Sequence, residues 1–404
     1  MTETNTRELE LPVEKLVYGG EGLMRLEGQV VLAPLVLPGE QVRVAVTESK
    51  PQLLRAKPVE ILRRSEHRRS APCPHFGVCG GCHYQHASHD YQLDQKISIL
   101  REVLQRVGKF TPPETIDVIA GPEFGYRNRA QFHVEDGRIG FHEFDSNALR
   151  KIDVCAICSP KLNEALAALH RMSAQSGFPR MLRNVELFTN ETEVQLNVLD
   201  SDRPIAKRFF EWCGREIAGF VDGALRYEAL GTVFRVSPTA FFQVNRFLVD
   251  RLVETALGNE EGESAVDLYA GVGLFTVAMA RKFRSVSAVE TGTAAWRDLM
   301  ENTSESGAAV QALRTPAEQF LQTVTEPADF VLADPPRSGL GKEVVRRLLE
   351  WKPRKLTVVS CDPATLARDL AKLLAGYEIE SMTLVDLFPQ TYHLETIVRL
   401  RVRT

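Results

Sequence analysis

A thiol lies at the point where an apolar strand of the sequence turns into a helix, which makes it a candidate nucleophile. The apolar run at 356–359 is typical of a buried parallel strand, and it ends in the letters SCDP, with the thiol at Cys361. Proline suits the first turn of a helix and aspartate is a good N-cap, so a helix begins directly after the cysteine. The positive end of a helix favours a thiolate, although a single small cysteine is also common in protein cores.

Strands and helices alternate from about residue 245 onward, and this alternation predicts a doubly wound parallel sheet of the α/β class. The apolar strands are expected at 265–269, 286–290, 330–333 and 356–360. Ligands of such sheets bind beyond the carboxyl ends of the strands. Cys361 directly follows the last of these strands, which favours a functional role for it.

The first two strands of this sheet end in residues that suit a nucleoside ligand. The segment DLYAGVGLF places Gly271 and Gly273 where the backbone approaches a ligand closely, and the second strand ends at Glu290, an acid that can hold ribose hydroxyls. The third glycine of a dinucleotide fingerprint is replaced by Thr276, which argues against NAD. These features predict S-adenosylmethionine as the cofactor.

A third acid, Asp334, follows the strand at 330–333 in the segment ADPPR. Taken singly, Glu290 or Asp334 could be no more than the N-cap of a following helix. Acids and glycines at the ends of three strands favour a cofactor site instead.

A cysteine beside a methyl donor predicts methylation at carbon 5 of a pyrimidine. That carbon is a weak nucleophile until a thiolate adds to carbon 6, and a base must afterwards remove the proton from carbon 5. Cys361 is the predicted nucleophile, and Glu395, in the segment FPQTYHLETIVRL, is the predicted base. A half-buried glutamate tends to have a raised pKa, as a base needs, whereas an ordinary exposed strand residue would not.

The position of the thiol separates this chemistry from two related ones. Enzymes that methylate carbon 5 of cytosine in DNA carry a Pro-Cys pair after the strand where this chain reads DPPR. Enzymes that methylate amino groups have an aromatic residue after the two prolines, where this chain has Arg337. Both alternatives are therefore disfavoured.

A second group of cysteines has the spacing of metal ligands, C-x5-C-x2-C, at Cys73, Cys79 and Cys82. Thiolates suit both zinc and iron–sulfur clusters. A fourth ligand is needed, and the sequence offers Cys155 or Cys158. Three neighbouring histidines are expected around the metal or at the surface rather than as ligands: His75, His83 and His86.

Composition and charge indicate an ordinary globular protein. The chain has 404 residues, 44% of them hydrophobic, and a net charge of −4. It shows neither the apolar core of a signal peptide nor a run long enough to span a membrane, so we expect a cytoplasmic monomer without a membrane partner. A basic strip at 50–69 and the segment YRNRAQFHV are candidate contacts for nucleic acid, although each is equally typical of a solvated surface.

Three domains are predicted along the chain. Short strands separated by turn pairs predict a small β-barrel over residues 1–64. Alternating segments and two helical stretches predict a central α+β domain over 65–240, which carries the cysteines of the predicted metal cluster. The doubly wound sheet occupies 241–404, and an amphipathic helix over 91–110 is expected to pack on it.

Taken together, these motifs resemble those of the bacterial 23S rRNA (uracil-5-)-methyltransferase family and its tRNA-modifying relatives. The resemblance runs through nearly the whole chain and rests on CPHFGVCGGCHYQH, YRNRAQFHV, FFQVN, DLYAGVGLF, DPPRSGL, SCDPATLARDL and FPQTYHLET. It implies a Rossmann-like class I methyltransferase fold, and the N-terminal barrel resembles the TRAM domain, an RNA-binding module of OB-like architecture.

The resemblance also implies roles for individual residues. Cys361 is the nucleophile and Glu395 the base, and a 4Fe-4S cluster is completed by Cys155. The residues implied in binding S-adenosylmethionine are Gln243, Tyr269, Gly271, Gly273, Glu290 and Asp334. Two positions depart from the usual pattern, since polar residues are common where this chain has Leu274 and Pro316.

The expected reaction is S-adenosylmethionine-dependent methylation of carbon 5 of a uridine in RNA, with 23S rRNA favoured over tRNA as the substrate. The target uridine is expected to be splayed out of an RNA loop. Three alternatives stand beside it: methylation of a tRNA uridine, methylation of an RNA cytosine, and RNA binding by an iron–sulfur protein without catalysis. Cytosine enzymes usually have a Thr-Cys pair where this chain has Ser360 and Cys361, and an intact Cys361 and Glu395 argue against a silent protein.

Overall fold

The structure, a computed structural model, describes residues 7–304 and 309–403. Within this part the chain divides into two compact units. The first unit comprises Met1–Leu100, His142–Arg150 and Phe388–His393, and the second comprises Arg101–Phe141, Lys151–Leu387 and Leu394–Thr404. Among the helices that the structure describes, none is long and apolar enough to cross a membrane. The three-domain division stays a prediction.

The first unit begins with a sheet of six strands in the order β1-β5-β6-β4-β3-β2. Its strands are β1 (Glu8–Pro12), β2 (Lys15–Leu16), β3 (Glu21–Leu26), β4 (Gln29–Pro34), β5 (Gln41–Lys50) and β6 (Leu53–Arg63). The hairpin between β3 and β4 turns at Glu27 and Gly28, both with positive φ, as a tight two-residue turn requires. Alternate residues of these strands face one apolar core, which includes Met24, Val31, Ala33, Val42, Val44 and Leu54. The short strands predicted for this region are confirmed.

Ion pairs neutralise much of the basic strip that the sequence shows at 50–69. Arg68 Nε donates to Oε1 of the buried Glu40 carboxylate at 2.5 Å. Arg55 pairs with Glu21, and Lys50 pairs with Glu48. The exposed basic residues of the strip include Lys57, Arg63 and Arg64.

The helix predicted over 91–110 is α1 (His89–Val103), followed by a π-helical turn at Leu104–Gly108. Val107 continues the apolar spacing of this helix, but it is 49% exposed. A π turn is wider than an α turn, so the residues within and after it point in other directions than the spacing of an α-helix predicts. The left-handed backbone of Lys109 ends the helix. In the second unit the π turn packs against helix α9 (Pro363–Leu373).

The described strands that follow the first sheet form three further sheets, of six, two and eight strands. In chain order the next elements are β7 (Asp117–Ile119), β8 (Arg129–Glu135), β9 (Arg138–His142), β10 (Leu149–Lys151), α2 (Pro160–Ser173), β11 (Leu182–Thr189), β12 (Val194–Ser201), α3 (Lys207–Glu216), β13 (Phe220–Val221), β14 (Leu225–Ala229) and β15 (Thr232–Val236). Strands β9, β8, β11, β12 and β13 lie side by side in that order, and β14 pairs with β15 as a hairpin. The predicted α+β composition of this region is confirmed.

The remaining elements alternate as predicted. They are α4 (Val249–Leu257), β16 (Gly262–Leu268), α5 (Leu274–Met279), β17 (Phe283–Glu290), α6 (Thr293–Thr303), β18 (Ala309–Arg314), α7 (Ala317–Phe320), β19 (Phe330–Ala333), α8 (Gly341–Trp351), β20 (Lys355–Ser360), α9, β21 (Tyr377–Val385) and β22 (Glu395–Val402).

The described strands of this last region form an eight-stranded sheet with β7, in the order β18-β17-β16-β19-β20-β22-β21-β7. Strands β16 to β20 pair in parallel, and β22 runs antiparallel between β20 and β21. The chain reverses its direction of strand addition between β16 and β19, which is where doubly wound sheets bind ligands. The four predicted strands of this sheet are confirmed, with β19 at the bounds expected.

A buried carboxylate fixes helix α6 to the β14–β15 hairpin. Asp298 is fully buried and accepts hydrogen bonds from Arg235 Nε at 2.9 Å, from the Ser237 amide at 2.6 Å and from Ser237 Oγ at 2.7 Å. Asn302, one turn later, accepts from the Arg235 amide and donates to the Val272 carbonyl in the loop before α5. The hairpin and this loop are therefore held by one helix.

We predict that Asp298→Ala destabilises the protein by about 1 to 3 kcal/mol, because it leaves the partly buried donors of Arg235 and Ser237 without their acceptor. Urea denaturation measures the change. The matched control is Glu301→Ala on the same helix, since the partly exposed Glu301 also pairs with Arg235 but should contribute less than about 1 kcal/mol. Equal losses in the two variants would contradict this account of the contact.

Candidate active site

The candidate nucleophile, Cys361, directly follows β20 and precedes α9. The cap of α9 is Asp362, whose Oδ1 accepts hydrogen bonds from the amides of Ala364 and Thr365, with Pro363 in the first turn, as the sequence predicted. The thiol therefore stands just outside the helix, and Asp362 takes up the first free amides. Burial raises the pKa of Cys361 to about 11, with Glu395 and Asp334 adding to the rise. Burial and these two carboxyl groups thus oppose the favourable effect on the thiolate that the sequence predicted for the start of the helix.

The candidate base, Glu395, begins β22 on the strand next to the thiol. The antiparallel pairing of β20 with β22 ends at Ser360 and Thr396, and Cys361 and Glu395 are the immediate chain neighbours of this pair. Glu395 is 6% exposed, and burial raises its pKa well above the ordinary value, with the nearby charge of Asp334 contributing. The raised pKa expected for this glutamate is confirmed.

Asp334 and Arg337 follow β19, between the thiol strand and the strand of the glycine loop. Burial raises the pKa of the Asp334 carboxyl above its ordinary value. The guanidinium of Arg337 opposes this trend, since its charge lowers the pKa of both Cys361 and Glu395. Sequence reasoning used Arg337 only to exclude other chemistries, although its place in DPPR at a strand end was already a signal.

The loop after β16 has a backbone that is costly except at a functional site. Tyr269, Gly271 and Gly273 alternate along it with φ values of +67°, +56° and +94°. A bulky aromatic residue in the left-handed region is rare and strained, and such strain concentrates at ligand sites. A Cβ at Gly271 would face open space, whereas one at Gly273 would lie 2.8 Å from Leu299 Cδ1. Gly273 thus permits the packing of α6, and Gly271 leaves room beside the loop.

Glu290 ties this loop to the start of α6. Its Oε2 accepts from the Gly271 amide at 2.9 Å, and its Oε1 accepts from the Gly292 amide at 2.5 Å. Each carboxylate oxygen has a second lone pair, so the same group can also accept from ribose hydroxyls. The glycine loop and the acid that sequence analysis assigned to one cofactor are thus in direct contact.

Asp267 is a site residue that the sequence analysis did not assign. It is the second-last residue of β16 and is fully buried, and its Oδ2 accepts a hydrogen bond from Thr276 Oγ1 at 2.5 Å. Its Oδ1 is buried without a hydrogen-bond partner, and burial raises its pKa to about 7, with Asp334 and Glu290 contributing. An unpaired buried oxygen beside an open glycine fits a polar, cationic ligand such as S-adenosylmethionine. The available signal was an acid that ends an apolar strand.

Other predicted residues have mixed outcomes. Gln243 is 7% exposed, and its carbonyl lies 3.4 Å from Asn128 Nδ2. Asn128 and Arg129 are themselves buried. The alternative that the segment YRNRAQFHV is only a solvated surface is therefore wrong for these two residues. Arg129 stacks over the Phe188 ring at 4.1 Å and donates to the Ala240 carbonyl, which supports the segment before Gln243.

The two residues that depart from the usual pattern have structural roles. Leu274 is 6% exposed and starts α5, and Pro316 is the N-cap residue of α7.

The cysteines predicted as metal ligands lie in loops of both units. Across residues 7–304 and 309–403, no group of three or more His, Cys, Asp or Glu side chains is arranged to hold a metal ion. In the first unit, the Cys79 sulfur accepts from the Gly81 amide at 3.4 Å, and the Cys73 amide donates to the buried Gln85 side chain. In the second unit, a hydrogen bond with Cys158 lowers the pKa of Cys155 to about 7. Cys158 is buried.

Comparison with known proteins gives two family matches. Residues 217–403 match the tRNA (Uracil-5-)-methyltransferase family, and residues 3–59 match the TRAM domain. The chain is 35% identical to the 23S rRNA (uracil(1939)-C(5))-methyltransferase RlmD of Chromohalobacter salexigens, over 96% of this chain and 88% of the relative. It is 32% identical to an uncharacterized RNA methyltransferase of Aquifex aeolicus, over 98% of this chain and 99% of the relative.

Among solved structures, the tRNA (uracil-54, C5)-methyltransferase of Pyrococcus abyssi, in complex with S-adenosyl-L-homocysteine, aligns with a TM-score of 0.74 at 24% identity. The alignment covers 97% of this chain and 100% of that one. It establishes a mixed α/β methyltransferase fold behind an N-terminal TRAM domain. With a thiol, a buried acid and a cofactor loop at one edge of this sheet, and relatives matched along nearly their whole length, the chain belongs to the S-adenosylmethionine-dependent RNA (uracil-5-)-methyltransferases.

Proposed function

We propose that this protein methylates carbon 5 of a uridine in 23S rRNA through a transient bond between Cys361 and the uracil. The observation that supports it most is the register of β20 and β22, because Cys361 and Glu395 are the chain neighbours of its last pair, Ser360 and Thr396. The relative from Chromohalobacter salexigens, matched over nearly the whole chain, is named for uracil methylation in 23S rRNA, which favours this RNA as the substrate. We place the reaction in the cytoplasm, where a catalytic thiol stays reduced, and expect the protein to act as a monomer.

The reaction follows from the chemistry of the two groups. The Cys361 thiolate adds to carbon 6 of uracil, and the electron pair of the 5,6 double bond makes carbon 5 nucleophilic. Carbon 5 takes the methyl group, which S-adenosylmethionine supplies from a sulfonium centre. Glu395 removes the proton from carbon 5, the double bond reforms, and the bond between carbon 6 and sulfur breaks to release the thiolate.

The charges at the site determine when the Cys361 thiol can lose its proton and the reaction can begin. With the pKa of Cys361 at about 11, the thiol keeps its proton at neutral pH in the protein without ligands. Positive charge beside Asp334 and Glu395 would lower the pKa of all three groups, and Arg337 already acts in this direction. We infer that the thiol is activated only in a site that also holds the cationic methyl donor and the RNA.

The cofactor would be held along the carboxyl edge of the sheet. We propose that Glu290 binds the ribose hydroxyls and that the loop of Tyr269, Gly271 and Gly273 lies against the nucleoside. Asp334 and Gln243 would contact the remaining polar groups, as the family resemblance implies. We add Asp267 to these residues, because its Oδ1 has no hydrogen-bond partner and it lies directly before the glycine loop in the chain.

A 4Fe-4S cluster is proposed on Cys73, Cys79 and Cys82, with zinc as the alternative metal. Its support is the C-x5-C-x2-C spacing and the amide of Gly81, which donates to the Cys79 sulfur as amides do around cluster thiolates. Cys155 is proposed as the fourth ligand on the family resemblance alone. Such a cluster would fix the loop that carries its ligands, and it has no part in the methyl transfer described above.

Methylation of tRNA is the second candidate, because the family matched by residues 217–403 is described by a tRNA activity. Mapping 5-methyluridine in the 23S rRNA and the tRNA of a deletion strain distinguishes the two. Loss of one modified uridine from 23S rRNA supports the first proposal, and loss from tRNA alone overturns the choice of substrate.

The covalent step predicts a trapped complex with RNA that contains 5-fluorouridine. Fluorine at carbon 5 cannot be removed as a proton, so the wild-type protein with S-adenosylmethionine should form an adduct that survives denaturing electrophoresis. Cys361→Ser should form none and should lose methyl transfer by at least about a thousandfold, since a hydroxyl is a far weaker nucleophile.

Glu395→Gln serves as the matched control for this experiment, because it removes the base and keeps the thiol. It should accumulate an adduct on unmodified RNA, since methylated uracil cannot lose its proton. Methyl transfer by Cys361→Ser at the wild-type rate would end the covalent proposal.

Metal analysis tests the cysteine cluster. Protein purified without oxygen should contain iron and sulfide, and Cys79→Ser and Cys155→Ser should each lose most of this iron. Cys158→Ser is the matched control and should keep it. Zinc in place of iron would support the alternative metal, and metal retained by Cys155→Ser but lost by Cys158→Ser would reverse the choice of the fourth ligand.

A further inference from the structure

We propose that an aromatic cluster in the first unit stacks on unpaired bases of the substrate RNA. The aromatic cluster consists of Tyr18, His83, Phe144, Phe388, Tyr392 and His393. The inference rests on the proposed function, and it adds to it the surface that holds nucleotides other than the target uridine.

Rings from four separate stretches of the chain meet around Tyr392. Its centroid lies 4.4 Å from that of His393, 4.6 Å from that of His83 and 5.5 Å from that of Tyr18. The contact with Tyr18 is edge-on, at an interplanar angle of 90°. Phe388 and Phe144 extend the cluster, at 5.5 Å from His393 and 6.2 Å from His83.

The loop that carries Tyr392 is fixed in place by main-chain contacts. The Gln390 carbonyl accepts from the amides of His83 and Tyr84, at 2.8 and 3.0 Å. Buried Gln92 accepts from the Gln390 amide and donates to its side-chain oxygen. The backbone of Gln390 has a φ of +68°, a strained value that these contacts maintain. The rings are therefore held in one arrangement, and a partner that stacks on them need not order the loop.

The cluster is neither a sealed core nor an acidic surface. All six rings are half-buried, so part of each remains accessible to solvent. Beneath them lies the fully buried Lys96, whose Nζ donates to the Phe388 carbonyl at 3.0 Å. A fixed and partly exposed group of aromatic rings suits bases, which stack on ring faces.

Two features connect this surface with RNA rather than with another protein. Tyr18 lies within residues 3–59, the part of the chain that matches the TRAM domain. His393 lies two residues before Glu395 in the sequence, so the aromatic loop leads directly into the strand of the proposed base. RNA that presents one splayed uridine to Cys361 must also leave its neighbours unstacked, and aromatic side chains commonly hold such bases.

Substitution of Tyr392 separates stacking from packing. The probe is an unmodified transcript of 23S rRNA, with its Kd measured by fluorescence anisotropy and its methylation by radiolabelled methyl transfer. Tyr392→Leu should weaken binding of the transcript about tenfold or more, because a base loses its aromatic partner. Tyr392→Phe should bind as the wild type does, since it keeps the ring. Phe210→Leu, at a half-buried aromatic of α3 outside the cluster, is the matched control.

Three further measurements on the same variant test whether its effect is confined to RNA binding. Tyr392→Leu should keep the wild-type melting temperature within a few degrees, its affinity for S-adenosylmethionine, and its kcat at saturating transcript. A wild-type Kd for Tyr392→Leu overturns the inference. A loss confined to kcat also overturns it, because the loop would then support Glu395 rather than bind RNA. A wild-type protein that binds the transcript without methylating it would contradict the proposed function while leaving the surface supported by the Kd values.

Discussion

The account depends on one electrostatic arrangement, a thiol and several carboxyl groups buried together at the carboxyl edge of a parallel sheet. Cys361 follows β20, Glu395 begins the neighbouring β22, and Asp334 follows β19 on the other side. Burial raises the pKa of each of these three groups, and the charge of Asp334 adds to the rise at Cys361 and at Glu395. A site of this kind holds its protons until positive charge arrives, and the methyl donor of this family is a cation. Reactivity and cofactor occupancy are therefore linked by the same charges.

The strand register makes this arrangement possible. Because β22 runs antiparallel to β20, its first residue lies at the edge where β20 ends, and an acid there meets the thiol. In a fully parallel sheet the start of β22 would lie at the opposite edge. The loop after β16 completes the edge with strained Tyr269 and two glycines in the left-handed region, and Glu290 binds this loop through the Gly271 amide. The candidate nucleophile, the candidate base, Asp334 and the glycine loop thus come from four neighbouring strands of one sheet, β20, β22, β19 and β16.

Sequence reasoning succeeded where the signal was local. The apolar run of β19, the Asp362 cap with Pro363 behind it, and the turn at Glu27 and Gly28 follow from neighbouring residues. It failed where distant segments meet. The rise in the pKa of Cys361 depends first on burial and then on Glu395 and Asp334. The burial of Asn128 and Arg129 depends on segments far along the chain. The π turn that exposes Val107 also escaped prediction, since the apolar spacing continued through it.

The linkage between Cys361 and Glu395 is tested most directly by the pH dependence of Cys361 alkylation with iodoacetamide, followed by mass spectrometry of the peptide that contains this residue. An ordinary thiol is half ionised near pH 8.5, about its unperturbed pKa. The account predicts that the wild-type rate keeps rising well above that pH, in line with a pKa of about 11, and that Glu395→Gln shifts the curve to lower pH by removing a negative neighbour. An ordinary thiol pKa in the wild type, or an identical curve in Glu395→Gln, would contradict it.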